Sequence, residues 1–259
     1  LAVLLLPGIG TIEDLEKARC VGANAVRIAT HCTEADIAIQ HIQYAKQHDM
    51  FTVGFLMMVH MASPEKLAEQ AAVFMEAGAD YINLADSAGH LLPHEVRARI
   101  SAVKKAVDIP VGFHSHNNLG VAVANSLAAA EEGAEYVDAT LRGLGAGAGN
   151  AQEEVLAAVL DRAGFSTRAN FNALMDVAAA SVDPIMQRPQ VVFNDAITIG
   201  YAGVYSSFLL HARKAAAAYG VDPRDILEEL GRRRMVGGQE DMIINVAHEI
   251  ADKQRQQTL

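Results

Sequence analysis

Along the chain, short runs of nearly continuous apolar residues alternate with longer segments whose apolar positions recur every three or four residues. The short runs fall at 2–6, 25–29, 52–57, 81–85, 110–113 and 136–140. Each precedes an amphipathic segment, at 12–21, 34–48, 64–77, 93–107, 119–132 and 150–163. Unbroken apolar runs suit strands buried on both faces, and the longer period suits helices that cover them. The punctuation agrees. Thr11, Thr33 and Ser63 stand where N-caps belong, with Pro64 at a first helical position, and Gly22, Gly78 and Gly133 stand where helices end.

A strand–helix unit that recurs about every 25–30 residues builds either an open doubly wound sheet or a closed parallel barrel. No G-x-G-x-x-G follows the first strand, as a dinucleotide-binding sheet would require. Polar residues gather instead just beyond the ends of almost all the strands: Thr30-His31-Cys32, His60, Asp86-Ser87, His114, His116, Asn117 and Arg142. A barrel collects its site from many strands in this way. The sequence therefore predicts an α/β fold, a TIM (β/α)8-type barrel of which six units are visible. The first two units are expected to be missing ahead of Leu1. After residue 164 no strand is convincing, 190–193 being at best a short one, and helices are predicted at 171–181, 196–219, 224–232 and 239–254. The expected organisation is a partial catalytic barrel over 1–164 and a helical C-terminal extension over 165–259. The Arg232-Arg233-Arg234 run reads as a solvated or salt-bridged helix end.

Composition narrows the class of function. The 259 residues are 51% hydrophobic and 20% charged, enough for a large core, and no apolar stretch approaches the ~18 residues of a membrane-spanning helix. A formal net charge of −10 argues against nucleic acid or an anionic membrane as partner. Two cysteines, Cys20 and Cys32, are too few for a disulfide framework and fit a reducing, cytoplasmic setting. Cys32 has no base pattern around it and reads as structural.

The chemistry concentrates in Val111-Gly112-Phe113-His114-Ser115-His116-Asn117-Asn118. Strand side chains alternate faces, so His114 and His116 point the same way, with Cα atoms roughly 6.5 Å apart, within reach of one metal ion. Two strand-end histidines held by hydrogen bonds are the plainer alternative. With one carboxylate the pair forms an open 2-His-1-carboxylate set, which by itself admits Mg, Mn, Fe, Co or Zn. Tyr201 and Tyr205 are four apart and, in a helix, share a face. Ser87 at a strand end is placed to hydrogen-bond a substrate carboxylate or merely to cap a turn, with Asp86 beside it to orient a ligand or a water. His31 and His60 also occupy strand ends. Gly143 to Gly149 lacks the Lys-Ser/Thr ending of a phosphate loop, so its glycines read as letting backbone pass near the barrel mouth, with Asn150 capping the next helix. Met57, Met58 and Met61 read as core or pocket wall.

Several motifs carry a resemblance. Leu4-Leu5-Leu6-Pro7-Gly8-Ile9-Gly10, Ala29-Thr30-His31-Cys32-Thr33-Glu34-Ala35-Asp36 and Val53-Gly54-Phe55-Leu56-Met57-Met58 resemble the 4-hydroxy-2-oxovalerate aldolases of aromatic-compound catabolism. So do Ala85-Asp86-Ser87, Gly143 to Asn150, Gly200-Tyr201-Ala202-Gly203-Val204-Tyr205-Ser206-Ser207-Phe208 and Arg234-Met235-Val236-Gly237-Gly238-Gln239-Glu240-Asp241-Met242. The resemblance implies metal-dependent retro-aldol cleavage of 4-hydroxy-2-oxopentanoate to pyruvate and acetaldehyde. It implies Mn2+ as the metal, with Mg2+ or Co2+ possible, and His114 and His116 as two of its ligands. The third ligand, an arginine that steadies the enolate and a histidine base belong to a segment with no counterpart here, expected in the missing N-terminal part; the chain as given is then a fragment with half an active site. Tyr205 matches the position over the substrate that donates a proton or gates access, and Leu4 and Leu6 match leucines shaping the pocket for the aldehyde end. The implied partner is an acylating acetaldehyde dehydrogenase that receives the aldehyde through a tunnel, docked on the helical extension. Two alternatives stand beside this: an acyl-CoA-using barrel enzyme of the isopropylmalate synthase or HMG-CoA lyase type, and a non-catalytic barrel subunit.

Overall fold

A computed structural model of the chain describes residues 1–257, and within them the backbone packs as two compact units. The first comprises 1–86, 91–114 and 124–138. Its centre is a six-stranded sheet in the order β1 (Ala2–Leu5), β2 (Ala25–His31), β3 (Phe51–Met57), β4 (Tyr81–Asp86), β5 (Val111–Ser115) and β6 (Tyr136–Asp138). The strand order equals the chain order, and the registered neighbours run parallel. Between the strands lie α1 (Ile12–Cys20), α2 (Ile39–Gln47), α3 (Pro64–Ala77), α4 (Pro93–Ala106) and α5 (Ala122–Glu131), which are the helices that the periodicity predicts.

Local chemistry accounts for the helix ends. Thr11 and Asp14 form a reciprocal capping box on α1, and the Ser63 hydroxyl accepts from Lys66 N ahead of Pro64 in α3. Gly78, at φ +105°, closes α3 in the left-handed region. The Thr33 cap fails: its hydroxyl lies 2.9 Å from His31 Nδ1, a 3-10 turn spans Ala35–Ala38, and α2 begins only at Ile39.

The core lies between sheet and helices. Ile28, Leu56, Ile82, Leu84, Val111 and Phe113 meet Leu15, Ile42, Leu67, Phe74, Val96, Ile100 and Val103, all buried. Gly54 is where β3 and α3 touch: a Cβ there would sit 2.3 Å from Phe74 Cδ2, so only glycine admits the phenyl ring.

The opposite face of the sheet is polar in its middle layer. Arg27 on β2 donates to both carboxylate oxygens of Asp138 on β6, each at 2.6 Å. Strands sit ~4.8 Å apart, so a flat sheet would hold β2 and β6 about 19 Å from each other, too far for this pair to bridge. The bond exists because the sheet curls, as a barrel requires.

The second unit comprises 87–90, 115–123 and 139–259, of which residues up to 257 are described. It holds α6 (Glu153–Arg162), α7 (Phe171–Val177) running into a π-turn at Ala178–Val182, α8 (Asn194–Ala202), α9 (Phe208–Tyr219), α10 (Pro223–Arg232) and α11 (Met242–Gln257). Ile199, Val204, Phe208, Ala212, Ile226, Leu227, Leu230, Ile243, Val246 and Ala247 form its core. The short strand that the sequence allows at 190–193 is absent; that segment carries no regular structure. The single helix expected over 196–219 is two helices, broken where Gly203 takes φ +67° and caps α8. Asn150 is not a helix cap: α6 starts after Gln152, and the Asn150 amide donates to Leu144 O at 3.1 Å. No described helix is long and apolar enough to cross a membrane.

Candidate active site

In the first unit, His114 sits on β5 directly opposite Asp138 on β6. Asp138 Oδ2 lies 3.1 Å from His114 Nδ1 and also accepts from Asn83 Nδ2 at 2.9 Å, while Arg27 holds both oxygens. Burial alone would raise this carboxyl's pKa. The hydrogen bonds from His114 and Arg27, and the Arg27 charge, outweigh that and hold it well below the usual carboxylate range. A carboxylate that stays ionised requires a proton on His114 Nδ1. The neutral ring then carries its lone pair on Nε2, the arrangement that neighbouring carboxylates impose on metal-binding histidines. The donor chemistry at His114 therefore fits a divalent cation.

Phe55 meets His114 edge-on, ring centroids 5.8 Å apart, and the Arg27 guanidinium stacks over Phe55 at 5.5 Å. Leu4 is the register partner of Arg27 and is 60% exposed. Leu6 is half-buried and packs on the Ala29, Phe55 and Ala85 cluster. His31 has its ring nitrogens near Thr33 Oγ1 (2.9 Å) and Met61 Sδ (3.5 Å). Asp86 is fully buried and accepts from Leu91 N at 3.1 Å, closing the turn after β4. Cys32 is buried within the apolar core, as expected of a structural cysteine.

In the second unit, His116 is half-buried, and its backbone forms an antiparallel bridge with Asn150. Ser87 is half-buried at the start of its loop. Tyr205 lies in the turn between α8 and α9, half-buried, its ring 5.8 Å from that of Phe208. Gly237 sits beside the same ring: a Cβ there would lie 3.7 Å from Tyr205 Cζ. Two motifs far apart in sequence thus meet at one phenol. The expectation that Tyr201 and Tyr205 share a helical face is wrong. The Gly203 break puts Tyr201 on α8, 74% exposed, and Tyr205 outside any helix.

Arg142 adopts φ +56° and is neutralised by Glu154 (2.9 Å) and Asp183 (2.7 Å). With Met186, Arg188 and Gln190 it lines a cavity of about 380 Å³. Among the described residues no three His, Cys, Asp or Glu side chains converge as a metal-holding group.

Sequence reasoning missed Asp138, Arg27 and Asn83. A charged residue inside a strand is a signal by itself, and Arg27 and Asp138 both interrupt apolar runs. Nothing local says that they meet.

Residues 2–180 match a family described as HMGL-like, and residues 190–252 match a DmpG-like communication domain. The 4-hydroxy-2-oxovalerate aldolase of Moorella thermoacetica is 63% identical over 98% of this chain and 75% of its own. The chain belongs to the 4-hydroxy-2-oxovalerate aldolase family. The enzyme of the same name from Carboxydothermus hydrogenoformans is 59% identical over 99% of this chain and 76% of its own, so the chain spans about three-quarters of such relatives. Among solved structures, hydroxymethylglutaryl-CoA lyase from Pseudomonas aeruginosa aligns with a TM-score of 0.65 and 21% identity, over 73% of this chain and 71% of that one. The carboxyl transferase domain of Rhizobium etli pyruvate carboxylase with 3-hydroxypyruvate aligns with a TM-score of 0.81 and 14% identity, over 98% of this chain and 48% of that one. At these identities the structural likeness concerns the fold. The aldolase family is one of divalent-metal-dependent lyases, and its communication domain coincides with α8 to α11.

Proposed function

We propose that this chain supplies His114, His116 and Tyr205 to an enzyme that catalyses the retro-aldol cleavage of 4-hydroxy-2-oxovalerate to pyruvate and acetaldehyde. The observation that carries the reading is the 63% identity over nearly the whole chain to an aldolase of that name. The His114–Asp138 pair, chemically suited to a metal ligand and its orienting carboxylate, supports it.

Breaking the C3–C4 bond releases C4 as the aldehyde once a general base has taken the C4 hydroxyl proton; the bonding pair becomes the C2=C3 double bond of an enolate whose charge rests on the C2 oxygen. A divalent cation, Mn2+ in this reading, supplies Lewis acidity toward that developing charge. His114 and His116 would hold it through imidazole nitrogens. Asp138 keeps the proton of His114 on Nδ1, so that Nε2 stays a donor. Ser87 hydrogen-bonds the substrate carboxylate, and Leu4 and Leu6 wall the pocket for the aldehyde end. Tyr205 delivers the proton that converts the enolate to pyruvate at C3. The region from α8 to α11 docks an acylating acetaldehyde dehydrogenase, which oxidises the released aldehyde, and the pair works in the cytoplasm.

The test uses an enzyme of its relatives' full length that carries this chain, and follows pyruvate release from 4-hydroxy-2-oxovalerate without CoA by lactate dehydrogenase and NADH, with Mn2+ present or removed by chelation. Metal-dependent turnover without CoA is expected. Turnover confined to an acyl-CoA substrate would replace this reading with that of an acyl-CoA lyase, and no turnover of either would leave a non-catalytic subunit.

A further inference from the structure

Asn118 is fully buried in the second unit, two residues beyond His116, and its amide is tied on both sides. Nδ2 donates to Ala88 O at 2.9 Å and to Ser206 Oγ at 2.8 Å. Oδ1 accepts from Ala148 N at 2.9 Å. One side chain thereby joins the loop of Ser87, its own loop behind His116, the glycine-rich loop 143–149 and the turn that carries Tyr205. Ser206 extends the chain of contacts, its hydroxyl lying 3.5 Å from Ser87 O.

The glycines around this amide are there to let it fit. Gly147 has φ +65°, and a Cβ on it would lie 2.4 Å from Asn118 Oδ1. Gly89 has φ +60°, and its Cβ would lie 2.8 Å from both Asn118 N and His116 O. Gly200 on α8 packs against Leu119 and Gly89 O, where a Cβ would meet Leu119 Cγ at 2.7 Å, and its own carbonyl is 2.7 Å from His90 Nδ1. Three loops and the end of α8 have been brought together more closely than side chains would allow. A buried amide with its partners in place specifies one arrangement, because each alternative leaves a polar group desolvated and unpaired.

We propose that Asn118, acting through Ser206, is the positioning residue that fixes Tyr205 for proton transfer. The inference rests on the catalytic role of Tyr205 given above. Tyr205 sits in a turn of non-helical backbone, so no helix holds it in place. The Ser206–Asn118 bond one residue away anchors that turn from inside the unit.

The experiment is a double-mutant cycle on the full Mn2+-loaded enzyme with 4-hydroxy-2-oxovalerate, using Asn118→Ala, Ser206→Ala and Tyr205→Phe. A misplaced proton donor costs turnover steeply, so each of the first two should lower kcat by about 10- to 100-fold with KM nearly unchanged. In the Tyr205→Phe background each should cost nothing further. The 13Cζ NMR signal of labelled Tyr205 should shift in Asn118→Ala and Ser206→Ala while the other tyrosine signals stay in place. The same fold loss in both backgrounds, or an unmoved Tyr205 signal, would overturn the inference and leave the Tyr205 assignment standing. If Tyr205→Phe turns over at the parent rate, the assignment itself falls and the inference with it. Should Asn118→Ala not fold, Ser206→Ala removes a single hydroxyl and carries the same comparison by itself.

Discussion

Asp138 and His114 stand directly opposite each other across β6 and β5, one carboxylate oxygen 3.1 Å from the imidazole Nδ1. That oxygen also serves Arg27 and Asn83, so the carboxylate is held in place from three strands at once. In Asp138→Asn the amide can donate to Nδ1, which drives the ring proton to Nε2 and spoils the donor atom. We expect Mn2+ affinity, measured by titration calorimetry, to fall about 10- to 100-fold in Asp138→Asn. Parent affinity would mean that His114 is not oriented by this contact.

His114→Ala and His116→Ala should each abolish metal-dependent pyruvate release, since either leaves too few protein donors for the cation. Metal content after gel filtration checks this independently of rate. Full occupancy in either variant would remove that residue from the ligand set.

Tyr205→Phe keeps the ring against Phe208 and removes only the hydroxyl. Loss of a proton donor predicts a kcat lower by about 10²- to 10⁴-fold with Mn2+ affinity unchanged. A parent rate would reduce Tyr205 to a packed aromatic.

Gly54→Ala tests the fold rather than the chemistry. Its Cβ would lie 2.3 Å from Phe74 Cδ2 and 2.5 Å from Cγ, deep in the sheet–helix core. Overpacking of this kind costs about 1–3 kcal/mol, read as a lower urea midpoint at unchanged slope. Adding Phe74→Leu should recover part of the loss.

Glu135 ties the start of β5 to α4, its two oxygens taking Lys104 Nζ (2.6 Å) and Val111 N (2.9 Å). Burial raises its pKa, but these two partners outweigh burial and leave it below the usual value. A depressed folded-state pKa adds stability above the unfolded value of about 4.3, and that gain fades as pH falls through the folded value. The side chain is 45% exposed, so solvent screening confines its worth to about 1 kcal/mol at most. Urea melts should show Glu135→Gln less stable than the parent at pH 7, with the difference shrinking as the pH falls below about 4.3. A constant difference across that range would exclude the charge as its origin.

The strand–helix alternation is legible because each unit advertises itself locally, by apolar runs and by caps such as Ser63-Pro64 and Gly78. The spacing of His114 and His116 is visible without any partner, but the expectation that one strand carries both does not hold: β5 ends at Ser115, and His116 lies just past it, bridged to Asn150. What stays hidden depends on distant partners. Arg27 and Asp138 are 111 residues apart and meet only because the sheet curls. Tyr205 reads as helical because the flanks of Gly203 carry helix periodicity, yet one left-handed glycine ends α8 ahead of it. Asn118 looks like one more polar residue after the histidines, and its contacts among four segments emerge only once the loops are assembled.

The crowding around Asn118 also bears on redesign of the glycine-rich loop. Side chains at 145, 147 and 149 would strike Asn150 Nδ2, Asn118 Oδ1 and Gly143 O at 2.5, 2.4 and 2.1 Å. Leu144 and Ala146 alone in that stretch are exposed. A mutant library aimed at altering substrate range through this loop should therefore randomise those two codons and leave the alternating glycines untouched.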